Sequence, residues 1–298
     1  MVTKQITQSD ITEAPPRRSG TSRFIRVFFS RKLVIFGFII ILILVITAIF
    51  APWIAPHDPY EMDLTKTLQS PNSTHLLGTD SLGRDTLSRV IYGSRTSLMV
   101  GIVAVLIASS IGITLGLMAG YFGGIVNMVI MRFVDALMAF HMILLALVIA
   151  ALLGAGIVNI MIAIGVTMMA SYARVMCAQV LTIKENEYVT AERSIGSPDR
   201  RIMFIHVLPN SFPPLIVMIT MQLGSAILAE ASLSFLGIGV AAPTASWGGM
   251  VNDGQKYLLN HAQLSFAPGV AIMLVVFAFN LIGDGLRDAL DPRLKGTL

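Results

Sequence analysis

Six apolar runs, each about the length of a bilayer crossing, alternate along the chain with shorter polar segments. Residues 33–54 are almost purely apolar, and about 20 such residues suffice for a helix to span the hydrocarbon core. Further runs at 96–121, 126–153, 157–180, 213–236 and 264–282 predict five more spans. The second carries Gly112, Gly116 and Gly120 at intervals of four. Small residues at that spacing line one helix face and admit a neighbouring backbone, so they predict a packing seam, within this chain or with another subunit. The third run is interrupted by Arg132, Asp135 and His141. Arg132 and Asp135 stand three apart on one face, where they can pair. His141 either lines a pathway or marks a kink, ionisable groups within a span being functional candidates by default. The fold class that follows is all-α, a polytopic membrane bundle of six transmembrane helices.

The polar segments divide the chain further. Residues 1–32 predict a cytoplasmic tail that ends, from Ser22 to Lys32, in an amphipathic helix at the membrane surface or in an extension of the first span. Residues 55–93 predict an external loop in which Asp58, Glu61, Asp63, Asp80 and Asp85 offset Lys66, Arg84 and Arg89. Within that loop Gly78 and Gly83 provide tight turns, and the two later aspartates can cap a helix or pair with Arg84. Residues 94–283 form the core. Residues 284–298 predict a polar cytoplasmic tail.

Residues 187–210, EYVTAERSIGSPDRRIMFIHVLPN, form a polar, basic island inside that core. Tyr188 to Ile195 are good helix formers, Gly196 suits a helix-ending residue of positive φ, and Ser197-Pro198-Asp199 can start a second short helix. Pro209, Pro213 and Pro214 then close the island and open the fifth span. Near that span's far end Glu230 is either paired at the interface or open to a cavity. Residues 232–254 predict a Gly/Pro-rich outer loop, a candidate gate, with Trp247 as an interfacial anchor.

Composition narrows the class. The 298 residues are 55% hydrophobic and 13% charged, and mean hydropathy is +0.76, which excludes an ordinary soluble domain. The net charge of +4 could suit nucleic acid, but the basic residues flank apolar runs and form no face interleaved with aromatics, so no nucleic-acid partner is read. Lys and Arg gather in the first 32 residues, around 174–201 and after 285. That distribution predicts cytoplasmic N and C termini and a cytoplasmic island, in a multi-pass plasma-membrane protein. The single Cys177 leaves no intrachain disulfide, and neither a metal site nor a cofactor is read in the sequence. No G-x-x-x-x-G-K-[S/T] phosphate loop is present, so the chain is not read as an enzyme.

The island's Ala191, Gly196 and Leu208-Pro209 resemble the cytoplasmic "EAA" loop of ABC-importer permeases. Thr190 stands where that motif has Glu, and Glu192 where a second Ala is common. The run from His75 through Asp80, Gly83, Arg84 and Asp85 to Arg95 is similar to the segment before the second core helix in C-type permease subunits of the dipeptide/oligopeptide/nickel branch. So is SLSFLG followed by Ala245-Ser246-Trp247-Gly248. The resemblance covers nearly all of 33–294. It implies a type I ABC-importer permease fold, a second homologous permease, two ATPase subunits carrying ATP and Mg, an external substrate-binding protein, and a bacterial or archaeal inner membrane. It implies that the run from His75 contacts the binding protein or the partner permease, unless it is a self-contained turn. It also implies a coupling role for Glu187, Tyr188, Ala191, Arg193, Gly196, Arg200, Arg201, His206, Leu208 and Pro209; His141, Glu230 and Trp247 are candidates for the pathway or gate by their own positions in the chain. Short peptides are the expected cargo; nickel or metal chelates through the same machinery, or an ion-coupled secondary transporter, are the alternatives.

Overall fold

A computed structural model describes residues 27–29 and 31–290. The expected tail at 1–20, most of the amphipathic segment and residues 291–298 lie outside it. Helix α1 (Lys32–Ile49) is followed after Phe50 by the single turn α2 (Ala51–Ile54). A loop and one 3-10 turn (Leu64–Lys66) lead to α3 (Thr86–Phe122). Then come α4 (Gly124–Met138), α5 (Met142–Leu153) and α6 (Ile157–Ile183). The island supplies α7 (Glu187–Ser194) and α8 (Asp199–Arg201), and α9 (Leu208–Phe235), α10 (Trp247–Gln255) and α11 (Gln263–Leu290) complete the chain. Five helical stretches are long and apolar enough to cross a membrane, and the bent pair α4–α5 makes a sixth.

Several boundaries differ from the sequence reading. The second span starts at Thr86 rather than Thr96, because Asp85 accepts the Ser88 N–H at 2.8 Å and so caps a 37-residue helix. That helix is about 55 Å long and projects beyond a bilayer core of about 30 Å. The third span is not continuous. It bends by 93° between α4 and α5, and His141 stands at the break as the N-cap residue of α5. The chain from Asp199 to Phe235 is one helical run, so Pro209, Pro213 and Pro214 lie inside a helix instead of opening one. A π-helical stretch at Ile202–Val207 immediately precedes them, with the Leu208 N–H donating to the Met203 carbonyl. The wider turn is the local adjustment expected where prolines remove donors and crowd the preceding turn. Residues 232–254 are not a single loop, since α9 runs to Phe235 and α10 begins at Trp247. The expected tail from 284 remains helical to Leu290.

The glycine stripe packs within this chain. A Cβ on Gly112 would lie 2.4 Å from the Met169 carbonyl oxygen, one on Gly116 2.3 Å from that of Ala173, and one on Gly120 2.7 Å from Val180 Cβ. Helices α3 and α6 therefore meet nearly backbone to backbone. Around this pair the core is filled by Val100, Ala104, Ile164, Met168, Tyr172 and Leu233. Helix α11 runs antiparallel to α1, with Gly285 on Val34 and Gly37 on Leu281. Arg31 pairs with Asp288 at 2.9 Å, so the start of α1 and the end of α11 share one end of the bundle. Much of α1 is exposed and apolar, Leu33, Phe36, Ile39 and Ile43 among others, as a lipid-facing surface should be.

Candidate functional site

At that same end the island folds as a helical hairpin. Gly196 has φ of +81°; its N–H donates to the Arg193 carbonyl and the Ser197 N–H to that of Glu192, both at 3.1 Å. This pair of bonds is the Schellman ending that a left-handed residue creates after a helix. The space around Gly196 is open, so backbone angle alone demands glycine there. Pro198 then precedes α8 as its N-cap residue.

The hairpin is fixed to the bundle. Val189 is fully buried with Ile202, Met203 and Val207, against Leu117 and Tyr121 of α3, Met176, Val180 and Ile183 of α6 and Leu215 of α9. The Tyr121 hydroxyl donates to Asp199 at 2.6 Å, and the Arg193 guanidinium lies over the Tyr121 ring, 5.8 Å from its centre. Lys184 Nζ donates to the Gly120 carbonyl at 3.1 Å. Glu192 ties the two halves together, accepting from the Ser197 hydroxyl and lying 3.5 Å from His206 Nε2. Of the residues singled out in the sequence, Glu187, Tyr188, Ala191, Arg193, Gly196, Arg200, Arg201 and Pro209 are exposed, while His206 and Leu208 are half-buried. The tip also presents Ile195, 77% exposed, with Phe204 and Ile205 nearby in sequence. Sequence reasoning passed over Ile195, Tyr121 and Lys184. An apolar residue beside Gly196 in a polar island was the signal available for the first, whereas the other two need the fold.

The opposite end carries Trp247 and Glu230, whereas Asp135 and His141 belong to the α4–α5 bend. Trp247 is not an interfacial anchor: it is buried, and its indole N–H donates to the Val90 carbonyl at 2.9 Å. Trp53, at the far end of the first span, is 78% exposed. Glu230 faces neither an interface nor a cavity. It is fully buried, accepting from Ser97 of α3 at 3.1 Å and from Ser234 at 2.8 Å. Ser234 in turn accepts the Val240 N–H at 3.2 Å, so one carboxylate joins α3, α9 and the loop beyond α9. His141 is exposed. Asp135 does not pair with Arg132; it meets Arg174 of α6 at 2.5 Å, where α4 packs on α6 through Val134, Ala170 and Ala173.

The loop before α3 is a self-supporting knot. Asp80 accepts from the Leu82 and Arg84 backbone N–H groups and from Arg84 Nε at 2.6 Å. Arg89 donates to the Pro59 carbonyl at 3.1 Å. A Cβ on Gly83 would sit 1.9 Å from the Asp63 carbonyl oxygen. Both arginines are buried, so the run supports α3 before it supports any contact. Between this knot and the loop after α9 lies a cleft of about 320 Å³, bordered by Leu82, Arg84, Val240 and Thr244.

Comparison with known proteins agrees with this architecture. Residues 112–296 match the family described as binding-protein-dependent transport system inner membrane component. Residues 19–71 match the N-terminal TM domain of oligopeptide transport permease C. The dipeptide transport system permease protein DppC of Alkalihalophilus pseudofirmus is 44% identical over 89% of this chain and 87% of its own length. The di/tripeptide permease DppC of Pseudomonas aeruginosa is 44% identical over 94% of each. The glutathione permease GsiD of Pectobacterium atrosepticum is 40% identical over 93% of each. With two family matches along one chain and relatives aligned nearly end to end, this protein belongs to the binding-protein-dependent transport system inner membrane components, as a C-type permease subunit of the ABC-importer class.

Proposed function

We propose that this chain forms, with a second homologous permease, the membrane pathway through which an ATP-driven importer takes up short peptides. Dipeptide, di/tripeptide and glutathione permeases among its relatives support cargo of that class. An external binding protein delivers the peptide, and two ABC ATPase subunits bind ATP and Mg and supply the work. The hairpin is on the cytoplasmic side with both termini, a placement supported by the basic residues at that end and by the Arg31–Asp288 pair.

The observation that carries this reading is the way the hairpin is held. Its outer face offers Tyr188, Arg193, Ile195 and Arg200 to a partner, while Val189 and the Tyr121–Asp199 bond tie it to α3, α6 and α9. A push from closing ATPases is therefore transmitted to three spans as a rigid displacement, and the bundle shifts between two packings that differ in their contacts with cargo and motor.

Gly196 provides the test. Valine there meets no neighbour yet is strained at φ +81°, whereas asparagine tolerates that conformation. In the assembled importer, Gly196→Val should abolish dipeptide uptake and loosen ATPase co-purification while the chain still inserts, and Gly196→Asn should retain both. Normal uptake by the valine variant would remove the coupling role.

A further inference from the structure

Beyond transport, the loop that precedes α3 gathers three groups with the chemistry of a metal site. We propose that His57, His75 and Asp85 bind one divalent transition-metal ion of the zinc class. One ring nitrogen from each histidine and one Asp85 oxygen all lie within 4.8 Å of one another. His75 Nδ1 is 2.9 Å and His57 Nδ1 3.8 Å from the same oxygen, Oδ1. In a tetrahedral zinc site with bonds near 2.0–2.1 Å, neighbouring ligand atoms stand about 3.3 Å apart; the two separations to Oδ1 bracket that value, and the two histidine nitrogens, within 4.8 Å of each other, close on it when an ion binds.

Two further observations favour an ion over a plain hydrogen-bonded pair. His57 Nδ1 is buried and has no hydrogen-bond partner, although it is directed at a carboxylate oxygen that His75 already engages. A metal ion satisfies that nitrogen, the His75 nitrogen and Oδ1 together. The other carboxylate oxygen, Oδ2, is committed elsewhere: it accepts from the Ser88 N–H at 2.8 Å and the Ser88 hydroxyl at 2.7 Å. Ser88 Oγ also accepts the His57 backbone N–H at 3.1 Å, and the His75 backbone N–H donates to Asn72 Oδ1 at 2.8 Å. The Asp85 carboxylate is thus oriented by Ser88, as metal-ligating carboxylates usually are by a neighbour, and the two backbone bonds fix the chain that carries each histidine.

Two imidazoles and a carboxylate suit zinc and its neighbours better than calcium or magnesium, which take oxygen ligands. His57 also borders an open cleft of about 390 Å³ with Asp58, Tyr60 and Tyr92, from which water can complete the coordination. The ion would clamp the segment after α2 and the His75 loop onto the first turn of α3. No regular spacing announces the site, because its ligands come from three parts of a folded loop.

Full-length chain without a polyhistidine tag, purified and metal-stripped, is titrated with Zn²⁺ against a chromophoric chelator, and with Co²⁺ for its absorption bands. The expected result is one ion per chain, tetrahedral cobalt bands, and about 100-fold weaker binding in His57→Ala and His75→Ala, with His261→Ala unchanged. Because His75 is buried, His57→Gln, altered at a partly exposed side chain, decides the matter if His75→Ala fails to fold. Wild-type zinc affinity no greater than that of His57→Gln, or loss of affinity in His261→Ala equal to that in His57→Ala, would overturn the assignment and leave a hydrogen-bonded His75–Asp85 pair only.

Discussion

The indole N–H of Trp247 donates to the main-chain carbonyl of Val90, 157 positions earlier, at 2.9 Å. Gly93 makes the approach possible, since a Cβ there would fall 2.7 Å from Trp247 Cδ1. The contact wedges the start of α10 against α3 at the end of the bundle opposite the hairpin. Trp247→Ala should lower unfolding stability by about 3–5 kcal/mol, the usual cost of emptying a large aromatic site. Trp247→Phe keeps most of the ring and loses the hydrogen bond, so it should cost markedly less, and Gly93→Ala should crowd the same site. Unfolding of the three variants in one detergent checks the order; an alanine variant as stable as wild type would refute the wedge.

The α3–α6 seam predicts a ranking among its glycines. A Cβ on Gly116 meets the Ala173 carbonyl oxygen at 2.3 Å, whereas on Gly120 the nearest atoms belong to the Val180 side chain at 2.7 and 2.8 Å. Backbone yields less readily than a side chain, so Gly116→Ala should destabilise more than Gly120→Ala, with overpacking losses of about 1–3 kcal/mol. Equal stabilities would mean that the helices slide apart without cost.

Asp135 and Arg174 are each about half exposed. A pair of that kind contributes about 0.2–1 kcal/mol after solvent screening. A double-mutant cycle between Asp135→Ala and Arg174→Ala should return a coupling in that range, and the same cycle with Arg132→Ala should return none. Coupling to Arg132 instead would restore the pairing expected from helix spacing alone.

Asp63 carries a pH dependence. Its carboxyl is held down from 3.8 to about 2, first by the Thr65 hydroxyl, then by the Lys66 ammonium and the Thr65 N–H. A group depressed on folding stabilises the folded form above its unfolded pKa and loses that contribution as pH falls toward the folded value. The Leu64–Lys66 turn should therefore loosen between about pH 4 and pH 2. Hydrogen exchange across 60–70, corrected for intrinsic rates, should rise over that window in wild type and be raised already at pH 6 in Asp63→Asn. Identical profiles for the two proteins would remove the effect.

Some of this architecture is legible in one dimension because its causes are local. Bilayer thickness fixes the length of an apolar run, so the spans announce themselves and err mainly at their ends. Thr86 was missed because an Asp85 cap extends a helix well past the apolar stretch. The prolines misled because proline suits a helix's first turn, whereas here a π turn lets it sit inside one. Gly196 was readable for the same local reason: a left-handed helix ending favours glycine whatever surrounds it.

From its sequence alone the protein was determined to be a bundle of apolar spans with a glycine seam and a capped polar hairpin, each set by chain stereochemistry and the membrane's dimensions. Packing in three dimensions sets which groups meet: Asp135 with Arg174, Glu230 with Ser97, Trp247 with Val90, and His57 with His75 and Asp85. Partners of that kind are chosen by how helices pack and where a span bends. Pairing energies depend on distances between atoms far apart in sequence, and periodicity along the chain carries no record of them.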